Sequence, residues 1–162
     1  MCGISGIYSF TDTAESFVPY VEKSIQTLRN RGPEVQRVEC KGRVVLAHAR
    51  LAILDTSSAG NQPFTDASGR YTIIYNGEFY NYRDYYAELR ADGVNFTSSS
   101  DTEVLCICIL NIDKVVWKKS MAFLPLLYMI LLKTPCSSHV TEWVSNRYIS
   151  FRQNSFSAFR RN

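Results

Sequence analysis

A cysteine at position 2 is the residue of this sequence best suited to nucleophilic chemistry. Cys2 follows the initiator Met1 in the stretch MCGISGIY, so removal of the methionine leaves a thiol and a free α-amine on one residue. An α-amine has a pKa of roughly 7.7–8.0, which lets it act as general base for its own thiol near neutral pH. The position predicts an N-terminal nucleophile, although an early cysteine can also be accidental.

Four further residues match what such a nucleophile needs to cleave the side-chain amide of an amino acid. Asn76 and Gly77 in YNGE offer a side-chain amide and a backbone N–H to an oxyanion, but Asn-Gly is also an ordinary turn. Arg50 interrupts an apolar run and suits a bidentate grip on a carboxylate, or it is an edge arginine satisfied by solvent. Asp101 in SSSDTEVL suits an α-ammonium, or it belongs to an ordinary helix cap. Together the residues favour an amidase acting on an amino acid.

The apolar periodicity indicates the elements that must position these residues. Alternating or β-branched runs predict strands over 3–10, 43–54 and 71–77, and helical spacing predicts helices over 17–32 and 82–93. Some strands are joined by short turns instead of helices. This order favours a layered α+β sandwich over a doubly wound sheet.

Length and composition describe a globular chain of one domain. It has 162 residues, of which 46% are hydrophobic and 20% are charged. A net charge of +3 is too weak to argue for nucleic acid, and the N-terminus has no basic region followed by a long apolar stretch. Five cysteines at irregular spacing predict a reducing, cytoplasmic setting instead of a disulfide framework.

Two features of the C-terminal part permit a metal or membrane interpretation that we do not favour. Cys106, Cys108 and His139 include a Cys-x-Cys pair without a second pair, so buried apolar residues are the simpler interpretation and we expect no metal site. The apolar run 121–132 contains twelve residues and a proline, which is short for a membrane span and more typical of a core.

The motifs together resemble the class II glutamine amidotransferase domain. The stretches MCGISGIY, NRGPE, AHARLAILD, NQPF and YNGEFYNYRDYYAELRADGVNFTSSSDTEVL have its order and spacing over residues 1–105, and they are most similar to the N-terminal domain of glutamine-hydrolysing asparagine synthetases. The resemblance implies a four-layer α/β/β/α sandwich of the N-terminal-nucleophile type. It also implies hydrolysis of glutamine to glutamate and ammonia.

The resemblance assigns roles to eight residues. It makes Cys2 the nucleophile, and it gives the oxyanion hole to Asn76 and Gly77. The groups that bind glutamine are Arg50 for the carboxylate, Asp101 with Glu78 nearby for the ammonium, and the backbone of Leu51 and Ile53 along the pocket. Asn30 and Glu34 depart from the histidine and aspartate that the family usually shows around Arg-Gly-Pro.

The resemblance also implies what accompanies this domain. We expect no cofactor in the chain, because ATP and magnesium serve a synthetase domain whose Gly-rich pyrophosphate loop does not occur among these residues. The implied substrate is glutamine, and neither nucleic acid nor a membrane is expected as a partner. Another N-terminal-nucleophile amidase and an inactive, truncated remnant are the alternatives.

Beyond Leu105 the sequence loses its likeness to the family, which would continue with strands such as NGIFAFAIYD and LFLARDRMGVKPLY. A coding sequence for NGIFAFAIYD, when it is read from its second base, yields residues 121–129 of this chain. In the same way, residues 135–148 can be encoded so that a shifted reading frame yields LFLARDRMGVKPLY. Two of the three bases in each recovered codon are fixed by the observed residues. We therefore expect residues 106–162 to be an out-of-frame translation, a frameshift that leaves the fold incomplete after about residue 105 with open sheet edges.

Overall fold

The computed structural model describes residues 2–53, 55–69 and 71–110, together with the backbone of four strands between residues 122 and 160. The helices are α1 (Val18–Thr27), α2 (Tyr82–Ala91) and α3 (Asp101–Leu110). The strands are β1 (Gly3–Tyr8), β2 (Val35–Lys41), β3 (Val44–Arg50), β4 (Phe64–Thr65), β5 (Thr72–Ile73), β6 (Asn76–Phe79), β7 (Ala122–Met129), β8 (Val140–Val144), β9 (Arg147–Arg152) and β10 (Ser155–Arg160).

An antiparallel sheet in the order β1-β3-β2 carries the N-terminus. Its register places Gly3 opposite Ala49 on one side of β3, and Val35 opposite Arg50 on the other side. Cys2 directly precedes Gly3, so the ladder brings it to the end of β3 that carries Arg50. Two residues 48 positions apart in the chain thus become neighbours through strand register.

The alternation of side chains along β3 separates two environments. Val45, Ala47 and Ala49 form a buried cluster with residues of α1, whereas Val44 and Leu46 form another with Ile74. Successive strand residues point to opposite faces, so His48 and Arg50 share the face of Val44 and Leu46. This face is the one directed away from α1, and it holds the candidate site.

Helices α2 and α3 pack together over the strands that precede them. Their shared cluster includes Tyr85 of α2, Val104 and Leu105 of α3, and Tyr75 and Phe79 from the strand region. Fully burying an aromatic or large aliphatic side chain of this kind stabilises a fold by about 1.5–3 kcal/mol. This cluster fixes the N-terminal end of α3, where Asp101 lies.

A second sheet has the order β10-β9-β8-β7-β6, with each neighbouring pair antiparallel. Because β7 pairs with β6, β6 is not an edge strand, whereas β1 and β2 form the two edges of the first sheet. The segment after residue 105 also continues α3 as far as Leu110 before these strands begin. The short strands β4 and β5 form a separate hairpin.

The α+β class and four of the five predicted elements are confirmed. Strand 43–54 ends at Arg50, helix 17–32 is α1, and Val21 and Ile25 are its buried residues. The predicted strand 71–77 is wrong as one element, since the structure divides it into β5 and β6. The four-layer sandwich stays a prediction.

The metal and membrane interpretations of the sequence involve His139 and the run 121–132, whose side chains lie outside the described residues, and two facts hold within the described ranges. No helix there is long and apolar enough to span a membrane. No group of three metal-ligating side chains occurs among the same residues. Cys106 and Cys108 are buried in α3, and burial raises the pKa of each thiol to about 12. His139 lies outside the described residues.

Candidate active site

The eight predicted site residues line one cavity of about 340 Å³. They come from four places in the chain: the N-terminus, the end of β3 with the loop after it, β6, and the start of α3. The eight are Cys2, Arg50, Leu51, Ile53, Asn76, Gly77, Glu78 and Asp101. The structure therefore brings together residues that lie up to 99 positions apart in sequence.

The Cys2 thiol lies against the backbone of Leu51, the first residue beyond β3. The Leu51 N–H donates to the Cys2 sulfur at 3.4 Å, and the thiol donates to the Leu51 carbonyl at 3.7 Å. The Cys2 carbonyl accepts a hydrogen bond from Arg31 Nε at 3.1 Å. These contacts hold the half-buried thiol at the cavity wall instead of leaving it on a free terminus.

Arg50 is buried, with 6% of its surface exposed, so it is not an edge arginine satisfied by solvent. Its Nη1 donates to the Ser57 carbonyl and to Asn61 Oδ1, each at 2.7 Å, and its Nη2 donates to the Asp55 carbonyl. Gly60 makes room for this guanidinium, because a Cβ there would lie 2.5 Å from Nη2. The loop after β3 thus wraps around the arginine.

All three of those acceptors are uncharged, so the positive charge of Arg50 is not neutralised by them. The ion pairs found among the described residues join Glu39 to Arg37 and to Lys41 on β2, away from the cavity. A guanidinium has five N–H donors, and three of them are used here. The remaining donors and the uncompensated charge suit a ligand carboxylate.

Asp101 opens α3, but the side chain that caps this helix belongs to Ser100, whose hydroxyl accepts from the Glu103 N–H at 3.3 Å. The Asp101 carboxylate instead accepts from the Phe79 N–H at 3.2 Å. Burial raises the pKa of Asp101 above its ordinary value of 3.8; the Phe79 hydrogen bond opposes this shift and the charge of Glu78 adds to it. A cationic ligand group would favour the ionised form of this carboxyl.

Asn76 and Gly77 lie in β6 and not in a turn, which removes the ordinary-turn interpretation of YNGE. The pairing of β6 with β7 changes register between Asn76 and Glu78, so Gly77 lies at an irregularity of the ladder. Such irregularities are common beside active sites, where they change the direction of a side chain or end the pairing of a strand. Glu78 is exposed at the mouth of the cavity.

Eight more residues line the cavity and were not singled out from the sequence. They are His48, Asp55, Gly60, Gln62, Tyr75, Tyr80, Ser100 and Thr102. All of them except Gly60 lie within the stretches that resemble the amidotransferase family, and His48 also lies two positions before Arg50 on the same strand face.

His48 and Tyr75 make part of the cavity wall uncharged. They are 1% and 2% exposed, and neither imidazole nitrogen nor the phenol oxygen has a hydrogen-bond partner among the described residues. Burial lowers the pKa of His48 to about 4, and the charge of Arg50 adds to this shift. Burial, followed by the charge of Asp101, raises the pKa of the Tyr75 phenol. At neutral pH both groups are therefore uncharged.

Gln62 joins two walls of the cavity. Its side-chain amide donates to the Thr102 hydroxyl at 3.0 Å and accepts from the Tyr75 N–H. The Tyr75 N–H is thereby satisfied by a side chain, at the point where the predicted strand 71–77 is interrupted. NQPF thus supports the site through Asn61, which holds Arg50, and through Gln62.

The comparison with protein families decides the identity of the domain. A family model described as the glutamine amidotransferase domain matches residues 1–121. The chain belongs to this family. The match extends beyond residue 105, where the likeness visible in the sequence ended.

Curated relatives of this amidotransferase chain include asparagine synthetases and amidases. Asparagine synthetase [glutamine-hydrolyzing] 3 of Bacillus subtilis is 42% identical over 107 residues, and asparagine synthetase B of Escherichia coli is 35% identical over 106 residues. Amidase chry2 of Gibberella zeae is 35% identical over 116 residues. The matches cover 65% of this chain but only 17% to 19% of those relatives.

Glu34, one of the two departures from the usual family pattern, still makes contacts beside the site. Its carboxylate accepts from the Ala52 N–H at 3.0 Å, and its own N–H donates to the Arg50 carbonyl at 3.3 Å. The longer side chain therefore holds the chain directly after Arg50.

Proposed function

We propose that this amidotransferase domain hydrolyses the side-chain amide of glutamine to glutamate and ammonia. The observation that carries the proposal is one cavity lined by the Cys2 thiol, the uncompensated Arg50 cation and the buried Asp101 carboxylate. An amino acid has one carboxylate and one ammonium, and these two charges match the two site groups. An amide at the end of the side chain would then be presented to the thiol.

The reaction begins when removal of Met1 exposes the α-amine of Cys2. The amine accepts the thiol proton, and the sulfur attacks the δ-carbon of glutamine to give a tetrahedral oxyanion. The side-chain amide of Asn76 and the N–H of Gly77 donate hydrogen bonds to that oxyanion. Collapse of the intermediate expels ammonia, which takes the proton, and leaves a γ-glutamyl thioester. Water then attacks the thioester, releases glutamate and restores the thiol.

The fate of the ammonia is a separate part of the proposal. Relatives named asparagine synthetase [glutamine-hydrolyzing] lead us to propose that the ammonia is destined for ATP-dependent asparagine synthesis on another domain. This chain matches less than a fifth of the length of those relatives. Any ATP and magnesium would belong to that other domain. Because the thiol acts only when reduced, we place the protein in the cytoplasm.

The amidase relatives make hydrolysis of another amide the second candidate function. An amide without both amino-acid charges would leave Arg50 or Asp101 without a counterion. If glutamine is the substrate, Arg50 should therefore contribute more to substrate binding than to the rate of turnover.

We expect Arg50→Lys to raise the KM for glutamine by about 30-fold or more while kcat changes little. Lysine retains the charge but loses the forked donors, and breaking a buried charge–carboxylate interaction costs about 2–5 kcal/mol. The measurement is release of glutamate and ammonia by the purified, Met1-free chain over a range of glutamine concentrations. Arg43→Lys, a matched change directly before β3 and outside the cavity lining, serves as the control. An unchanged KM in Arg50→Lys would favour an amide substrate that is not an amino acid.

We further propose that residues 106–162 arise by out-of-frame translation of an amidotransferase coding sequence. The support for this is the codon relation of residues 121–129 and 135–148 to the two strands expected from the family. The nucleotide sequence over codons 100–162 tests it. Restoration of both strand motifs by a shift of one base is the expected result, and DNA incompatible with those codons would exclude the proposal.

A further inference from the structure

Two loops meet beside the cavity, and each leads to one of the charged groups that the proposed function uses. Residues 51–61 follow Arg50 and supply the acceptors of its guanidinium. Residues 94–100 precede Asp101 at the start of α3. The spacing between the two charged groups depends on how these loops are held relative to each other.

A single carboxylate bridges the loops. Asp55 Oδ1 accepts from the N–H and the hydroxyl of Ser57 at 2.8 and 2.6 Å, within its own loop. Asp55 Oδ2 accepts from the N–H and the hydroxyl of Ser99 at 3.1 and 3.2 Å, in the other loop. The backbone carbonyl of Asp55 also accepts from Arg50 Nη2.

At neutral pH the bridging carboxylate is ionised. The Ser57 hydroxyl contributes most to lowering the pKa of Asp55 to about 2; partial burial opposes that shift, and the Ser99 and Ser57 N–H groups and the Ser99 hydroxyl add to it. Hydrogen bonds to an ionised acceptor are stronger than neutral ones. One residue therefore fixes Arg50 through its carbonyl and the approach to Asp101 through its carboxylate.

We propose that Asp55 is a positioning residue that sets amino-acid specificity by fixing the separation between Arg50 and Asp101. The inference rests on the proposed function, since it assumes that these groups bind the carboxylate and the ammonium of glutamine. Asp55 itself touches neither reacting atom. Its effect is on how well both charges of the substrate are recognised at once.

Asp55→Asn tests this role. An asparagine has one acceptor oxygen, and its NH₂ would face the donors of Ser57 or Ser99, so the bridge is broken on one side. We expect the KM for glutamine to rise about tenfold or more with little change in kcat. We also expect the preference for glutamine over glutaramate, which lacks the α-amino group, to fall about tenfold or more in kcat/KM. A general loss of folded protein would lower the apparent kcat/KM for both substrates by the same factor, so the ratio of the two values would stay unchanged.

Asp66→Asn is the matched control. Asp66 accepts from the N–H and the hydroxyl of Ser68, as Asp55 does from Ser57, but it lies in the β4–β5 hairpin and does not line the cavity. Its substitution should leave the substrate preference unchanged. Ser99→Ala, which removes only the hydroxyl partner across the loops, should shift the preference in the same direction by less, and it replaces Asp55→Asn if that variant does not fold.

The outcomes separate the two proposals. If the wild-type chain hydrolyses glutamine but Asp55→Asn or Ser99→Ala keeps the wild-type preference, the role of Asp55 is wrong and the function stands. An equal shift in Asp66→Asn would overturn that role too. If the wild-type chain binds neither glutamine nor glutamate in calorimetry, the proposed function fails and the role of Asp55 fails with it.

Discussion

Cys2→Ala is expected to lower glutamine hydrolysis by at least about a thousandfold, since it removes the nucleophile on which both chemical steps depend. The substitution takes away one sulfur atom and its two contacts with the Leu51 backbone. Binding of glutamine through Arg50 and Asp101 should survive. Steady-state glutamate release, together with calorimetric binding of glutamine, measures the two effects separately.

Cys40→Ala provides the matched control for this experiment. Cys40 is another free, half-buried cysteine, and it lies on β2 outside the cavity lining. Its substitution should leave hydrolysis near the wild-type rate. Residual activity of Cys2→Ala above about a tenth of wild type would rule out the thiol as nucleophile. Mass spectrometry of each preparation is part of the design, because retained Met1 removes the free amine and would itself abolish activity.

Gly32→Ala is expected to cost about 3 kcal/mol of unfolding free energy, at the upper end of what overpacking costs. A Cβ at position 32 would lie 2.1 Å from the carbonyl oxygen of Ala49 and 2.5 Å from the N atom of Arg50. Both atoms belong to the backbone of β3, so no side-chain rotation relieves the clash. The strand must move at the point where Arg50 enters the cavity, and the KM for glutamine should rise as well.

Denaturant unfolding of Gly32→Ala beside Gly42→Ala distinguishes this clash from a general effect of losing glycine. Gly42 has φ +57°, and a Cβ added there would have no other atom within 4 Å, so its substitution should cost only about 1 kcal/mol through backbone strain. Equal destabilisation by the two variants would contradict the close approach of the 28–34 segment to β3.

The regular elements were predictable where the apolar period was long enough. Val21 and Ile25 repeat at helical spacing in α1, and β3 is a continuous β-branched run. Strand β2 was not predicted, although Arg37, Glu39 and Lys41 alternate along it with Val38 and Cys40, which pack against the buried cluster of α1 and β3. The period of a half-buried strand was therefore present in the sequence between Arg37 and Lys41.

The break within 71–77 also has a local cause that the period does not contain. The Tyr75 N–H donates to the Gln62 side chain, a residue 13 positions earlier, and so has a side chain as its acceptor. The continuation of α3 past Leu105 was missed for a different reason: a helix apolar on all sides has no stripe to recognise, and eight of its ten residues are buried.

Part of the cavity lining could be anticipated from residue types, while the roles of those residues stay predictions. Cys2, Arg50 and Asp101 have side chains whose charge or reactivity suggests a use. Asp55 and His48 do not stand out in the same way: a carboxylate in a Ser-rich loop and a histidine in an apolar strand are common. Asp55 matters through its contact with Ser99, which lies 44 residues later in the chain. His48 matters through its burial.

Burial of the neutral His48 imidazole has a consequence for proton uptake on unfolding. Its pKa is 6.5 when exposed and about 4 in the folded chain. Between pH 6.5 and 4 the imidazole is therefore mostly protonated in the unfolded chain and mostly neutral in the folded chain. The folded state therefore loses stability as pH falls from 6.5 to 4, by about 3 kcal/mol in total, and this group adds no further loss below that range. Asp101, whose pKa is raised, acts in the opposite direction near the acid end. The same histidine that keeps the cavity wall uncharged at neutral pH thus makes the domain sensitive to mild acid, and a His48→Gln variant should unfold with a flatter dependence on pH over that interval.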